Sequence, residues 1–247
     1  MKISLVLSGG GSRGAFHLGV IYALQKRNIQ IAAISGSSIG AIIGVIIANG
    51  IGAKDILSLA KTNEFRKIFK FNYFRNGIFG GFYKFDEDAQ ILHSLIKCEK
   101  LENLQIPVFV TCFDYLSAKK IVFSSGNALK IALGSCAIPP IFAPMKYQNY
   151  ILCDGGIVDN FPISPLLSLN HKILGIDLHP QQIYSHAPKI KLKRILCANL
   201  SPQAQYLSDK CDYLICDERV DKFKIFSLRN FDEMFELGYE NGLKIKI

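Results

Sequence analysis

The sequence predicts an α/β fold in which a mostly parallel central sheet is covered by helices on both faces. Three observations predict it. Short apolar runs alternate with helix-length stretches along the chain. The strand-like runs are nearly all apolar, as strands buried on both faces read. The first two runs each lead through a glycine-bearing turn into a helix, the junction on which parallel sheets are built.

The elements follow in order. Ile3–Leu7 reads as the first strand, and Ala15–Arg27 as a helix with Phe16, Val20, Ala23 and Leu24 at helical spacing. Ile31–Ile34 is the second strand, followed by a helix over Ile39–Asn49. A helix over Asp86–Lys97 precedes a third strand at Pro107–Thr111. Lys120–Ser124, Ile173–Asp177 and Asp212–Ile215 read as later strands. Asp232–Leu243 closes the series as an amphipathic helix with Met234, Phe235, Leu237 and Gly238 near one face. No internal repeat or low-complexity tract interrupts the pattern.

Composition narrows the class. At 247 residues, 49% of them apolar, the chain has enough material for one domain with a sizeable core. Seven cysteines form no C-x-x-C pair, so a disulfide framework or zinc site is not expected and a reducing cytoplasm fits better. Met1-Lys2 runs straight into Ile3–Leu7, without the apolar stretch and small-residue cleavage site of a secretory leader. Asn28–Ala53 carries no charge, but Gly36, Ser37, Ser38 and Gly40 interrupt it, and its helical part would cover only about 16 Å. A buried strand, a sharp turn and a buried helix are expected there, with a membrane span as the alternative. The net charge of +9 favours anionic surfaces, whether acidic phospholipid or nucleic acid.

Two motifs and one acidic turn carry the chemistry. Gly9-x-Gly11-x-x-Gly14 matches a dinucleotide fingerprint, yet Ile31–Gly36 holds no acid to take a ribose. A P-loop would need Gly-Lys-Ser/Thr where Gly14-Ala15-Phe16 stands. The remaining reading is an oxyanion hole: Gly9, Gly10, Gly11 and Gly14 turn N–H groups inward at a helix N-terminus, with Arg13 adding a cation or holding the loop. Gly36-Ser37-Ser38-Ile39-Gly40 is a nucleophile elbow between strand and helix, with Ser38 exposed on a strained turn and Gly36 and Gly40 relieving collisions. Ser35 and Ser37 read as structural.

A serine nucleophile needs a base. Asp154, in Cys153-Asp154-Gly155-Gly156, can act directly if a water-poor site raises its pKa, and Gly155 and Gly156 let that turn approach another loop. Asp159 competes with it. A Ser38–Asp154–His179 triad is the further alternative, because His179 alone among the five histidines follows a strand closely.

Together these residues resemble the patatin-like phospholipases, which combine a Gly-Gly-Gly-x-Arg-Gly loop, a Gly-x-Ser-x-Gly elbow and an Asp-Gly-Gly turn. Ser135–Pro144 and Asp154–Pro162 look alike as well. Ser8 stands where some members have Asp. The resemblance is clear over residues 1–180 and looser beyond, and is closest to small stand-alone bacterial members. It implies a three-layer sandwich in a single domain over 1–247, with 190–247 packed on the core. It also implies a Ser38–Asp154 dyad without histidine, hydrolysing acyl esters of phospholipids, lysophospholipids or neutral lipids without metal or cofactor.

Phe65–Phe85 stands apart, with nine aromatics, five Lys or Arg and no acid in 21 residues. Arg66, Lys67, Lys70, Arg75 and Lys84 suit lipid phosphates, while Phe69, Phe74 and Phe79 suit insertion, making a peripheral contact with an anionic membrane or a glycine-hinged lid. Core packing of a helical cap is the competing reading. Two other functions remain on the sequence: a catalytically silent lipid-binding or regulatory protein of the same fold, and a basic nucleic-acid partner, for which no recognition motif is present.

Overall fold

The computed structural model describes residues 2–72, 80–179 and 209–247. Its centre is a mixed, mostly parallel sheet with helices around it. The strands are β1 (Lys2–Leu7), β2 (Gln30–Ser37), β5 (Val108–Asp114), β6 (Lys119–Phe123), β7 (Met145–Tyr147), β8 (Tyr150–Asp154), β9 (Lys172–Asp177) and β10 (Tyr213–Cys216). A separate hairpin pairs β3 (Phe69–Phe71) with β4 (Tyr83–Phe85). The sheet order is β10-β9-β1-β2-β5-β8-β7, with β6 also on β5. The five strands from β10 to β5 run parallel, whereas β6, β7 and β8 add antiparallel pairings.

β1 lies centrally and, past Lys2, is buried. Ile3, Leu5 and Leu7 join the main core with helices α1 (Gly14–Lys26), α2 (Ile39–Ala48) and α7 (Phe231–Lys244), while Val6 joins a second cluster with Ala33, Phe161, Ile163, Leu166 and Ile173. Period-two alternation sends those side chains to opposite faces, which is why the strand reads as apolar throughout. Each fully buried Leu or Ile contributes about 2 kcal/mol of transfer free energy.

α2 is apolar all round and almost wholly buried, as expected of a core helix. At ten residues it is far too short to span a bilayer, and no helix among the described residues is long and apolar enough to do so. α1 and α7 cross at close range through glycines. A Cβ on Gly19 would collide with Phe235 O, and one on Gly238 with Phe16 O. Tyr22 packs its ring against Phe235 and Tyr239 beside that crossing.

Further helices are α3 (Ala53–Ala60), α4 (Asn63–Arg66), α5 (Gln90–Leu95) and α6 (Ala128–Gly134). The helix expected over Asp86–Lys97 shrinks to α5, because Asp86 instead pairs with Lys70 and its N–H bonds Ile68 O. The β7–β8 hairpin was not expected as strands. Its turn uses Gln148 at φ +52 and Asn149 rather than the Asn-Gly signal that marks tight hairpins.

Candidate active site

The register of β5 assembles the site. Thr111 sits opposite Ser37 of the parallel strand β2, and the next residue, Cys112, sits opposite Asp154 of the antiparallel strand β8. Strands β2 and β8 therefore run toward each other along β5, and their C-terminal ends meet. Ser38 Oγ donates a 2.7 Å hydrogen bond to Asp154 Oδ2.

Ser38 adopts φ 52 and ψ −126, a strained conformation for a residue with a side chain. Its surroundings hold it there. A Cβ on Gly36 would lie 2.6 Å from Gly40 C, and one on Gly40 would collide with Leu7 O, so the turn folds tightly on itself and on β1. Ser135 Oγ accepts the Ser38 N–H at 2.9 Å and donates to Thr111 O at 2.6 Å.

Asp154 is 5% exposed. Its Oδ1 accepts from Gly156 N–H at 2.8 Å, and its own N–H donates to Ala137 O at 2.9 Å. Gly155 donates to Ser135 O, so Ser135 holds both the serine turn and the aspartate turn. A Cβ on Gly155 would collide with Thr111 O, which explains glycine there. Burial raises the Asp154 carboxyl to about 6, against the opposing pull of the Ser38 and Gly156 hydrogen bonds and of nearby His179. The same burial, with Asp154 adjacent, pushes the Cys136 thiol well above its ordinary range.

The glycine loop packs onto Ser38. A Cβ on Gly9 would collide with Asn160 Oδ1 and lie 3.1 Å from Ser38 Cβ. Gly11 has φ +57 beneath Ile225 O, where a side chain has neither the conformation nor the room. Gly9 N–H donates to Asn160 O, and Gly14 N–H to Gly11 O and Ser12 O. The N–H groups of Gly10 and Gly11 have no acceptor among the described residues. Arg13 presents no charge to the site. It is 1% exposed, donates to Phe223 O, Leu178 O and Asp221 O, and pairs with Asp221 at 2.9 Å. Of its two sequence readings, the geometry fits the loop-holding one, because every nitrogen of the guanidinium is already engaged.

The other candidate bases have other partners. Asp159 pairs with Lys120 at 3.1 Å. His179 Nδ1 lies 3.1 Å from Asn160 Nδ2 and 3.8 Å from Asp177 Oδ1, while the serine hydroxyl bonds Asp154. His17 is buried under the loop with Nε2 on Ser8 O, and burial lowers it to about 4, so it stays neutral near pH 7. Ser135 and Asn160 are site residues to which the sequence reading gave no role, although both stand in stretches that carried the family resemblance.

Phe65–Phe85 divides. Tyr73–Phe79, including Phe74, Arg75 and Phe79, lies outside the described residues. Phe69 packs against Phe65, Phe85 and Phe142, whereas Phe71, Phe82 and Tyr83 are half-exposed. Lys70 pairs with Asp86, and Lys67 lies 3.9 Å from Glu64. Phe82 N–H and Tyr83 N–H bond Pro140 O and Ile141 O, which ties the hairpin to the chain just after Cys136 and Ala137. Cys98, Cys112, Cys136, Cys153, Cys211 and Cys216 are free thiols.

Residues 5–167 match the family model described as patatin-like phospholipase. An uncharacterized NTE family protein of Mycobacterium tuberculosis is 31% identical over 169 residues, covering 68% of this chain and 46% of that protein. Lysophospholipase NTE1 of Mycosarcoma maydis is 29% identical over 181 residues, 72% of this chain and 10% of that protein. The chain thus spans less than half the length of these curated relatives. The crystal structure of VipD from Legionella pneumophila aligns with a TM-score of 0.61 at 16% identity, over 98% of this chain and 66% of that one, and shares the α/β fold. The glycine loop, the serine elbow and the aspartate turn all fall inside the matched span, and this chain belongs to the patatin-like phospholipase family.

Proposed function

We propose that the protein is a serine hydrolase of lipid acyl esters, of phospholipase A or lysophospholipase type, working through a Ser38–Asp154 dyad. The observation that carries this reading is the 2.7 Å bond from Ser38 Oγ, on its strained turn, to a buried, pKa-raised Asp154. Ser38 Oγ attacks the acyl carbonyl while Asp154 Oδ2 takes its proton. The tetrahedral oxyanion accepts hydrogen bonds from the Gly10 and Gly11 N–H groups, which the α1 N-terminus reinforces. Collapse breaks the ester bond, and the leaving alcohol takes the proton back from Asp154. Water, deprotonated by the same carboxylate, then attacks the acyl carbon, and Asp154 returns that proton to Ser38 Oγ as the fatty acid leaves. The family membership and the lysophospholipase name of one relative favour a lipid ester over other acyl compounds. The half-exposed Phe71, Phe82 and Tyr83 offer the substrate an approach from a membrane surface.

The test is covalent labelling by a fluorophosphonate probe together with fatty-acid release from lysophosphatidylcholine. Both are lost in Ser38→Ala, release is lost in Asp154→Asn, and both persist in His179→Ala. Abolition of both in a folded His179→Ala variant overturns the dyad in favour of a triad. An unlabelled, inactive wild type overturns the hydrolase reading in favour of a silent lipid-binding protein.

A further inference from the structure

The eight residues from Lys222 to Arg229 hold three cations, four apolar side chains and no acid. Their orientation alternates. Phe223 is buried and Ile225 leans on Gly11, while Lys224, Phe226, Leu228 and Arg229 face outward. Phe226 is 62% exposed and Leu228 36%, so two large apolar side chains share the outward face with Lys224 and Arg229.

The inner edge of this strip is fastened to the glycine loop. Ser12 N–H donates to Ile225 O and Ser12 Oγ to Lys224 O, each at 2.8 Å. Arg13 Nε donates to Phe223 O at 2.9 Å and Arg13 Nη2 to Asp221 O at 3.2 Å. The strip is therefore a fixed rim beside the loop that packs on Ser38. Lys222 is engaged by Glu233, whereas Lys224 and Arg229 have no carboxylate partner among the described residues. A cavity of about 340 Å³ opens between Lys222, Lys224, Ser227, Arg229, Asn230 and Glu233, whose carboxylate is taken by Lys222.

We propose that the Lys222–Arg229 strip docks the protein on an anionic phospholipid bilayer and sets the face through which Ser38 meets its substrate. The proposal rests on the lipid-hydrolase reading of the Ser38 site and adds a surface separate from the 69–85 hairpin. Charge selects the occupant. Unpaired cations beside an exposed Phe and Leu match an interface where phosphates lie above acyl chains. A second copy meeting this strip about a two-fold axis would set Lys224 and Arg229 against like charges.

The experiment uses the full chain and two vesicle types, phosphatidylcholine alone and phosphatidylcholine doped with phosphatidylglycerol. The wild type sediments with the doped vesicles only. Lys224→Glu/Arg229→Glu loses affinity by at least about 25-fold, each cation near the surface being worth roughly fivefold. The chain has no tryptophan, so Phe226→Trp installs a single reporter. Its emission shifts to the blue with doped vesicles and stays put with neutral ones. Thermal unfolding checks that each variant is folded. Vesicle binding unchanged by the double reversal, or an emission that does not move, overturns the proposal. So does concentration-dependent self-association that Phe226→Ser abolishes without affecting vesicle binding, which would assign the strip to a second copy. Hydrolysis of a soluble short-chain ester is read separately: its absence in the wild type defeats the hydrolase reading and leaves the vesicle result to stand or fall alone.

Discussion

The two strand-to-helix turns of the site are neighbours in the sheet and are held in opposite ways. The turn from β2 to α2 is secured from within: Ser135 joins the Ser38 N–H to β5, and Gly36 and Gly40 close the turn on itself. The turn from β1 to α1 is secured from outside, by Arg13 and Ser12 reaching carbonyls of residues 178 and 221–225. The proposed nucleophile must be aimed at one neighbouring atom, and the hydrogen bonds of Ser38 with Ser135 and Asp154 aim it. The proposed oxyanion role asks for unpaired donors, and the loop is held by its side chains and by the N–H groups of Gly9 and Ser12, which leaves those of Gly10 and Gly11 open.

The sharpest way to break the internally held half is Asp154→Asn. We expect kcat/KM to fall about 100- to 10,000-fold, the scale of a positioned general base. The same variant should be more stable near neutral pH. The folded carboxyl is raised to about 6 and so holds its proton longer than the unfolded one. Stability therefore declines as pH rises from about 4 to about 6 and stays lower above, by roughly 2 to 3 kcal/mol, a penalty that asparagine does not incur. Urea unfolding of both proteins at pH 7.5 (a value chosen well above about 6) checks this; a variant less stable than wild type would contradict the assigned cause.

Arg13→Ala breaks the externally held half. It should cost about 3 kcal/mol, because it leaves Asp221 and several carbonyls without their donor. Activity should fall with it as the glycine loop loosens. Retained stability, read by chemical denaturation, would show that the clamp is dispensable.

Ser135→Ala sharpens the comparison with a smaller effect. It removes the tie between Ser38 N–H and β5 while leaving both dyad side chains, so kcat should fall roughly 10- to 100-fold with KM unchanged. A change confined to KM would contradict a positioning role. In wild type and in this variant alike, kcat/KM should drop as pH falls below about 6, since Asp154 must be ionised to accept a proton.

Much of the site was legible in the sequence because its demands are local. Gly36, Gly40, Gly9 and Gly11 stand where a Cβ would strike backbone or a neighbouring side chain, and such turns recur as short motifs. Asp154 with Gly155 was readable for the same reason. The role of Arg13 was not, because its partners lie at Leu178 and Asp221–Phe223, far along the chain. Nor was the β7–β8 hairpin, whose short strands form around a Gln-Asn turn with no local signature.

The sequence by itself determined the α/β alternation and the two glycine turns, one of them bearing Ser38, because steric exclusion and hydrophobic period act over a few residues. Only the tertiary structure decided which acid meets that serine. Asp154, Asp159 and His179 are all acceptable bases by type, and the choice follows from the β5 register, which sets Asp154 beside Ser38 while Lys120 takes Asp159 and Asn160 meets His179. Strand register depends on pairings between residues scores of positions apart, and no local pattern encodes that distance.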